Sequence, residues 1–412
     1  MKSGTPGFIG ARLKEAREAR SLTAIALADL IGVSKQAVSQ YENEIQSPRP
    51  DIVTKIASIL QVPISYFRFS QKINMGTIFY RSMSATTKSA RIRAERRYLW
   101  LRIIESYLRE FIQFPKFDVP KFDLPSDPKN ISEERIEELA MQLRHLWNIS
   151  DSEPINNMVT LLEQHGTIVT RDELGADTLD AFSDILQSVQ DCSHYIVLGS
   201  DKAISVRSRF DAAHEFAHKI VHQNIDKSFL MRKTEYNLIE KQAHRFAAAF
   251  LLPADSFAID FYSANLDALK NLKSKWHVSI AMMINRAEDL NFISPEQARW
   301  LWINLSKRGW KLKEPLDDEI EIEQPQLLRK GFELLINEKI QSRQDILFNI
   351  PLQPKDIERL ANLTTGYLSD SEQQETSQVI MLKPRSSIVA DNRKNQINSN
   401  THSQIIKFPG KK

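Results

Sequence analysis

Two histidines four residues apart, His214 and His218, with Glu215 beside the first, form the stretch whose chemistry can be read most directly. On an α-helix, residues four apart lie on one face, one above the other. Both imidazoles can therefore reach one metal ion, and Glu215 can reach a water in an open metal position as a general base. A pair at i, i+2 or i, i+5 would aim the rings differently. Ala212, Ala213, Phe216, Ala217, Ile220 and Val221 supply the apolar face that such a helix needs.

Catalytic zinc needs a third protein ligand. Asn224 stands where a histidine six residues beyond His218 would otherwise serve. His222 is a poor candidate, because it lies about 12 Å along the axis from His214 at 1.5 Å per residue. The stretch Glu240-Lys-Gln-Ala-His244-Arg-Phe-Ala-Ala-Ala-Phe-Leu-Leu-Pro253 reads as a second helix, ended by its proline. Glu240 and His244 share one face of it, and Glu240 would complete a His₂Glu set around Zn²⁺. His244 and Tyr236 are both candidates to stabilise an oxyanion, and the sequence does not choose between them.

These two helices resemble the ImmA/IrrE family of metallo-endopeptidases, which carries H-E-x-x-H followed by E-x-x-A-N-x-F-A and an apolar run ending in proline. Here the second motif is Glu240-x-x-Ala243-His244-x-Phe246-Ala247, with His244 in place of the family's asparagine. Asp180-Ala-Phe-Ser183 and the segment from Ser205 to Asp211 also look like the family, so the resemblance spans residues 150–253. It implies a small α+β, zincin-like peptidase core. It also implies that His214, His218 and Glu240 hold zinc while Glu215 handles the proton.

The elements that must position these residues sit within a chain of 412 residues, long enough for two to four domains. Its 42% apolar content supports real cores, and its net charge of +3 is too small to argue for any partner. The one cysteine, Cys192, excludes a disulfide framework and reads as a small hydrophobe beside a strand. The N-terminus lacks an apolar signal segment and no stretch approaches 18 apolar residues. The expectation is a cytoplasmic protein with no membrane partner.

Residues 1–70 form a different kind of unit. A helix around Ala11–Arg17 is followed by one capped by Thr23, a turn at Gly32, and a polar helix from Lys35 to Asn43 capped by Ser34. Asp51 opens a fourth. Helix, glycine turn and polar second helix is the helix-turn-helix plan. The pattern Leu-Thr, Leu-Ala, Ile-Gly-Val-Ser, Val-Ser, Tyr-Glu-Asn and Pro resembles the phage-repressor (Cro/cI, XRE-type) family, with Asn43-Glu44 in place of its Asn-Gly. That resemblance places Lys35, Gln36, Ser39 and Gln40 where base edges of double-stranded DNA are read. The chemistry agrees, because glutamine pairs bidentately with adenine and lysine donates to guanine.

Residues 71–125 read as a basic amphipathic helix, Lys88–Arg102, and a linker marked by Pro115, Pro120 and Pro125, with Pro128 just beyond. The helix could meet phosphates or an acidic partner, or present a solvated basic face. In the peptidase unit, 126–262, helices are expected over Glu133–Trp147 and Met158–Gln164. Short strands are expected at Thr167–Thr170, Leu179–Ser183 and His194–Leu198. His165 and His194 read as structural. Residues 263–368 read as helical, with Trp276, Met282, Met283, Trp300 and Trp302 in the core, and 369–412 as a disordered tail. The whole is multidomain and mainly α. The resemblances imply a DNA-bound regulator, dimeric on its operator, that cleaves a protein substrate, a repressor. Competing classes are a regulator that senses a ligand or metal, and an antitoxin that binds a partner without cutting it.

Overall fold

Side-chain caps start the helices of the first unit. In the computed structural model, Thr23 accepts from the Ala26 N–H and Ser34 from the Ala37 N–H, each at 3.1 Å. The structure describes residues 4–70, 77–80, 88–175, 179–185, 194–201, 204–369 and 406–407. Cys192 and most of the expected tail lie outside them.

Helices α1 (Gly10–Ala19), α2 (Ala24–Ile31), α3 (Lys35–Glu42) and α4 (Pro50–Leu60) form the N-terminal bundle. Gly32 ends α2 at φ 73°, the left-handed region that suits glycine. Glu44 also adopts a positive φ of 60°, where the related pattern has glycine. Its carboxylate accepts from the Gly10 N–H at 3.0 Å, which offsets the strain. Gly10 itself is required there, since a Cβ would fall 2.2 Å from the Tyr41 carbonyl oxygen.

Strand β1 (Thr77–Tyr80) leads to the long helix α5 (Lys88–Arg109) and the short strand β2 (Ile112–Gln113). Helices α6 (Glu133–Leu146) and α7 (Met158–Gln164) precede β3 (Thr167–Asp172), β4 (Ala181–Ile185) and β5 (His194–Gly199). Then come α8 (Ser205–Val221), α9 (Lys233–Leu251) and α10 (Ala254–Asp260). They are followed by α11 (Leu266–Trp276), α12 (Ile280–Asp289), α13 (Pro295–Lys307), α14 (Leu327–Asn337), α15 (Arg343–Asn349) and α16 (Pro354–Leu360). Ile406–Lys407, strand β6, pairs with β2.

The expected mainly-α architecture with a small mixed sheet is what the fold contains. The sheet order is β1-β4-β5-β3, with β3 and β5 parallel and β4 antiparallel to both its neighbours. Strand period makes this sheet a wall between two cores. Ile168, Phe182, Tyr195 and Val197 face the core shared with the N-terminal bundle, α5 and α14–α16. Val169, Ala181, Ile196 and Leu198 face α6, α8, α9 and α11–α13.

Helix α5 departs from the expectation of a phosphate-binding or solvated basic face. Trp100, Leu101, Ile104 and Leu108 are fully buried, and the arginines turn inward. Arg96 pairs with Glu18 of α1 at 2.7 Å, and Arg97 meets both carboxylate oxygens of Asp172 on β3 at 3.2 Å. Trp100 donates to the Tyr66 hydroxyl at 2.9 Å, which donates to Glu15 at 2.5 Å. On the far side of α1, Arg20 reaches Asp356 of α16 at 2.5 Å. The arginines are consumed because their carboxylate partners arrive from segments distant in sequence. Helix α5 is thus a strut against which α1, the sheet and α16 are packed.

The proline-marked segment is laid across the end of α8 rather than held away from it. Phe117 lies under the Lys219 ammonium at 5.2 Å, and Asn224 donates to the Leu124 carbonyl at 3.2 Å. In the C-terminal helices Trp276, Met282 and Met283 are buried and Trp302 partly so, but Trp300 is 55% exposed and not core. Helical period puts it on the outer face of α13, three residues from exposed Ile303.

Candidate metal centre

Helices α8 and α9 pack side by side, with α8 also against β4 and β5. Alanines at 212, 213, 217, 243 and 247 are all buried at this junction and allow close approach. The approach brings His214 and His218 of α8 against Glu240 of α9. His214 Nε2 lies 3.2 Å from Glu240 Oε2, and His218 Nε2 lies 3.5 Å from Glu240 Oε1. The ligand atoms of all three lie within 4.8 Å of one another.

The set fits zinc. Ligands on a tetrahedral ion with bonds of about 2.0–2.1 Å stand roughly 3.3 Å apart, close to the separations found. Burial holds the His218 imidazole well below its ordinary pKa, with smaller contributions from His222, His244 and His194. A neutral ring is the ligand-competent form.

His222, unsuited by spacing as a ligand, takes a different place. His218 Nδ1 lies 3.0 Å from His222 Nδ1, and His222 Nε2 lies 3.2 Å from the Gln242 side-chain oxygen. Gln242 in turn donates to the carbonyls of Pro128 and Ile131 at 2.7 and 3.1 Å. This relay fixes the His218 ring and leaves its Nε2 facing Glu240. Burial pushes His222 down to about 4.

Glu215 is fully buried on the same helix and accepts a 2.7 Å hydrogen bond from the Ser183 hydroxyl of β4. Ser183 and His222 are functional candidates that the motif reading missed as such. Serine was quoted only within the Asp180–Ser183 segment, and the signal for His222 was a third histidine one turn beyond His218.

His244 lies one turn beyond Glu240, exposed, with its ring 4.8 Å from that of His214 and 5.0 Å from Phe210. Tyr236 lies one turn before Glu240 and is partly buried. His194 is fully buried among Phe117 and Phe216 and is not one of the three grouped residues. His165 pairs with Asp118 at 2.8 Å and stacks on Trp147. A cleft of about 510 Å³ opens beside His244. A larger one, about 630 Å³, lies near Asn157 and Glu323 and is lined by none of the cluster residues, so it is set aside as the reaction site.

In the N-terminal unit Lys35, Gln36 and Ser39 are exposed on α3 and Gln40 is half-buried. They stand on one polar helix whose buried anchor is Val38. This is the exposure that a helix reading a groove requires.

Comparisons with known proteins agree with both units. Residues 13–67 match the family model described as helix-turn-helix, and residues 162–288 match the peptidase family described as IrrE N-terminal-like domain. Over 55 residues the chain is 40% identical to a protein of Methanocaldococcus jannaschii named as an HTH-type transcriptional regulatory protein. That match covers 13% of this chain and 17% of the relative's length. The chain therefore fuses an XRE-type helix-turn-helix to an ImmA/IrrE-like, metallopeptidase-like domain. Among the described residues, no helix is long and apolar enough to cross a membrane.

Proposed function

We propose that this protein is a zinc-dependent endopeptidase that acts from DNA, in the cytoplasm, as a homodimer, cleaving a partner repressor to relieve repression. The observation that carries the reading is the convergence of His214, His218 and Glu240, with Glu215 buried alongside and held by Ser183. Three protein ligands leave room for a fourth, which distinguishes a catalytic site from a closed structural one.

Bound there, zinc would acidify a water and polarise a peptide carbonyl. His214, His218 and Glu240 hold the ion's place. Glu215 takes the proton of the attacking water and passes it to the leaving amine. Ser183 keeps its carboxylate turned to one rotamer. His244 or Tyr236 donates to the oxyanion. Lys35, Gln36, Ser39 and Gln40 read base edges in the major groove.

Glu215→Gln tests the reading, because it keeps size and hydrogen bonding and removes the base. Zinc content and DNA affinity are expected to survive while cleavage of the partner stops and its target genes stay repressed. If the variant still switches those genes normally, the domain acts by sensing or by binding alone.

A further inference from the structure

The cleft beside His244 starts one helical turn from the metal cluster on both of its walls. On α8, Phe210 precedes the ligand His214 by four residues. On α9, His244 and then Ala248 follow the ligand Glu240 at the same interval. Residues at this interval stack along one face, about 5–6 Å apart. One continuous stripe therefore runs on each helix from ligand to cleft. Phe210, His244 and Ala248 all line the cleft, as does Met282 of α12.

Several charges on the cleft wall are held by partners behind it, while Arg207 and Lys311 stand exposed at its rim. Arg286 holds Glu137 through two bonds of 2.6 and 2.8 Å, and Lys241 reaches Glu133 at 2.8 Å. Glu314 and Asp317 enclose the fully buried Lys273 at 2.8 and 2.5 Å. Charges satisfied in this way leave the floor to ring, methyl and thioether surface. The lip is unusual. Leu312 is 88% exposed and lies on the segment after α13, beyond the residues that match the peptidase family. An isolated exposed leucine needs no explanation. One placed at the mouth of a cleft whose floor carries Phe210, Ala248 and Met282 adds apolar surface that a guest could cover.

We infer that this cleft is the side-chain specificity pocket for the peptide cut at the neighbouring cluster. It accepts a bulky apolar residue, with Phe210, Ala248 and Met282 as floor and Leu312 as a lip supplied by the C-terminal region. The inference rests on the peptidase reading above and adds to it the chemical class of the residue selected.

The test uses the full-length, zinc-loaded chain and amino-acid hydroxamates, whose chelating group reports the metal while the side chain reports the cleft. Leucyl and phenylalanyl hydroxamates are expected to bind about tenfold or more tightly than the glycyl compound. Ala248→Trp should bring the leucyl and phenylalanyl affinities to the glycyl level without changing glycyl binding. Leu312→Asp, at a surface position that cannot disturb the core, should reduce the same preference.

Equal binding of the glycyl and leucyl compounds overturns the inference while leaving the metal site standing. So does an apolar preference that survives both substitutions. Failure of every hydroxamate, glycyl included, to bind zinc-loaded protein overturns the peptidase reading and this inference together.

Discussion

Ser183 on β4 donates a 2.7 Å hydrogen bond to Glu215 on α8, while its neighbour Asp184 bonds Tyr98 on α5 from the opposite face of the same strand. Strand alternation sends adjacent side chains to opposite sides of the sheet. Removing the Ser183 hydroxyl should therefore affect the proposed base without touching the strut. Ser183→Ala is expected to cost about 0.5–1.5 kcal/mol of stability. Zinc content should stay unchanged and peptide cleavage should slow. Elemental analysis beside steady-state kinetics checks this, and unchanged kcat would show that Glu215 needs no such support.

Metal content should be about one zinc per chain, and Glu240→Gln should lower it sharply. Full occupancy in that variant would remove Glu240 from the ligand set and make His244 the next candidate. His222→Phe leaves the three ligands in place but cuts the relay to Gln242 and the Pro128 carbonyl. Loss of an outer-shell partner of this kind should weaken zinc binding about 10–100-fold in a chelator competition.

DNA binding should separate α3 from α5. Gln36→Ala and Gln40→Ala should each cost about 1–3 kcal/mol of discrimination in a competition between operator and scrambled duplexes. Arg97→Ala should leave the salt dependence of binding unchanged, because its guanidinium is spent on Asp172. It should instead destabilise the fold, by less than the roughly 3–5 kcal/mol of a fully orphaned buried charge, since Arg359 still holds Asp172 at 2.9 Å. Chemical denaturation and a salt titration of binding read the two effects.

Stability of the metal-free chain should fall in acid. Burial, with Lys219 nearby, holds His194 well below its ordinary pKa, so the folded state binds fewer protons than the unfolded state. The contribution is fully present above the unfolded value near 6.5 and is lost as pH falls from there toward the folded value. The slope is up to about 1.4 kcal/mol per pH unit for each proton. Urea midpoints between pH 7.5 and 5.5 should drop, and His194→Gln should remove one proton's share of that drop. His218 and His222 act in the same direction.

What could be read from the chain depended on how local the signal was. His214, Glu215 and His218 were legible because helical period sets their spacing, and Glu240 because of the need for a third ligand and the second motif of the family the helices resemble; the packing of α8 on α9 brings Glu240 to the two histidines. The caps at Thr23 and Ser34 were equally local. Ser183 acquires its meaning only when β4 meets α8, and β1 only when Thr77–Tyr80 pairs with Phe182–Ile185. The basic stretch on α5 carried a misleading local signal. Its partners Glu18 and Asp172 lie 78 and 75 residues away, so the pattern resembled a surface while the fold made it an interior. Trp300 failed in the opposite sense, a large ring expected inside that stands in solvent.

The α5 strut also bears on where along DNA such a protein could act. A reading helix on a loose tether would let the metal cluster sweep all sides of the duplex. Here Arg96, Arg97 and Arg20 fasten α1 to the framework that carries the cluster. The cluster therefore has one bearing relative to α3. On the proposed function, cutting a neighbour on the same duplex would depend on rotational phase. Moving the two sites apart by half a turn, about 5 base pairs, would turn the partner to the far side, and a full turn of about 10 would restore it.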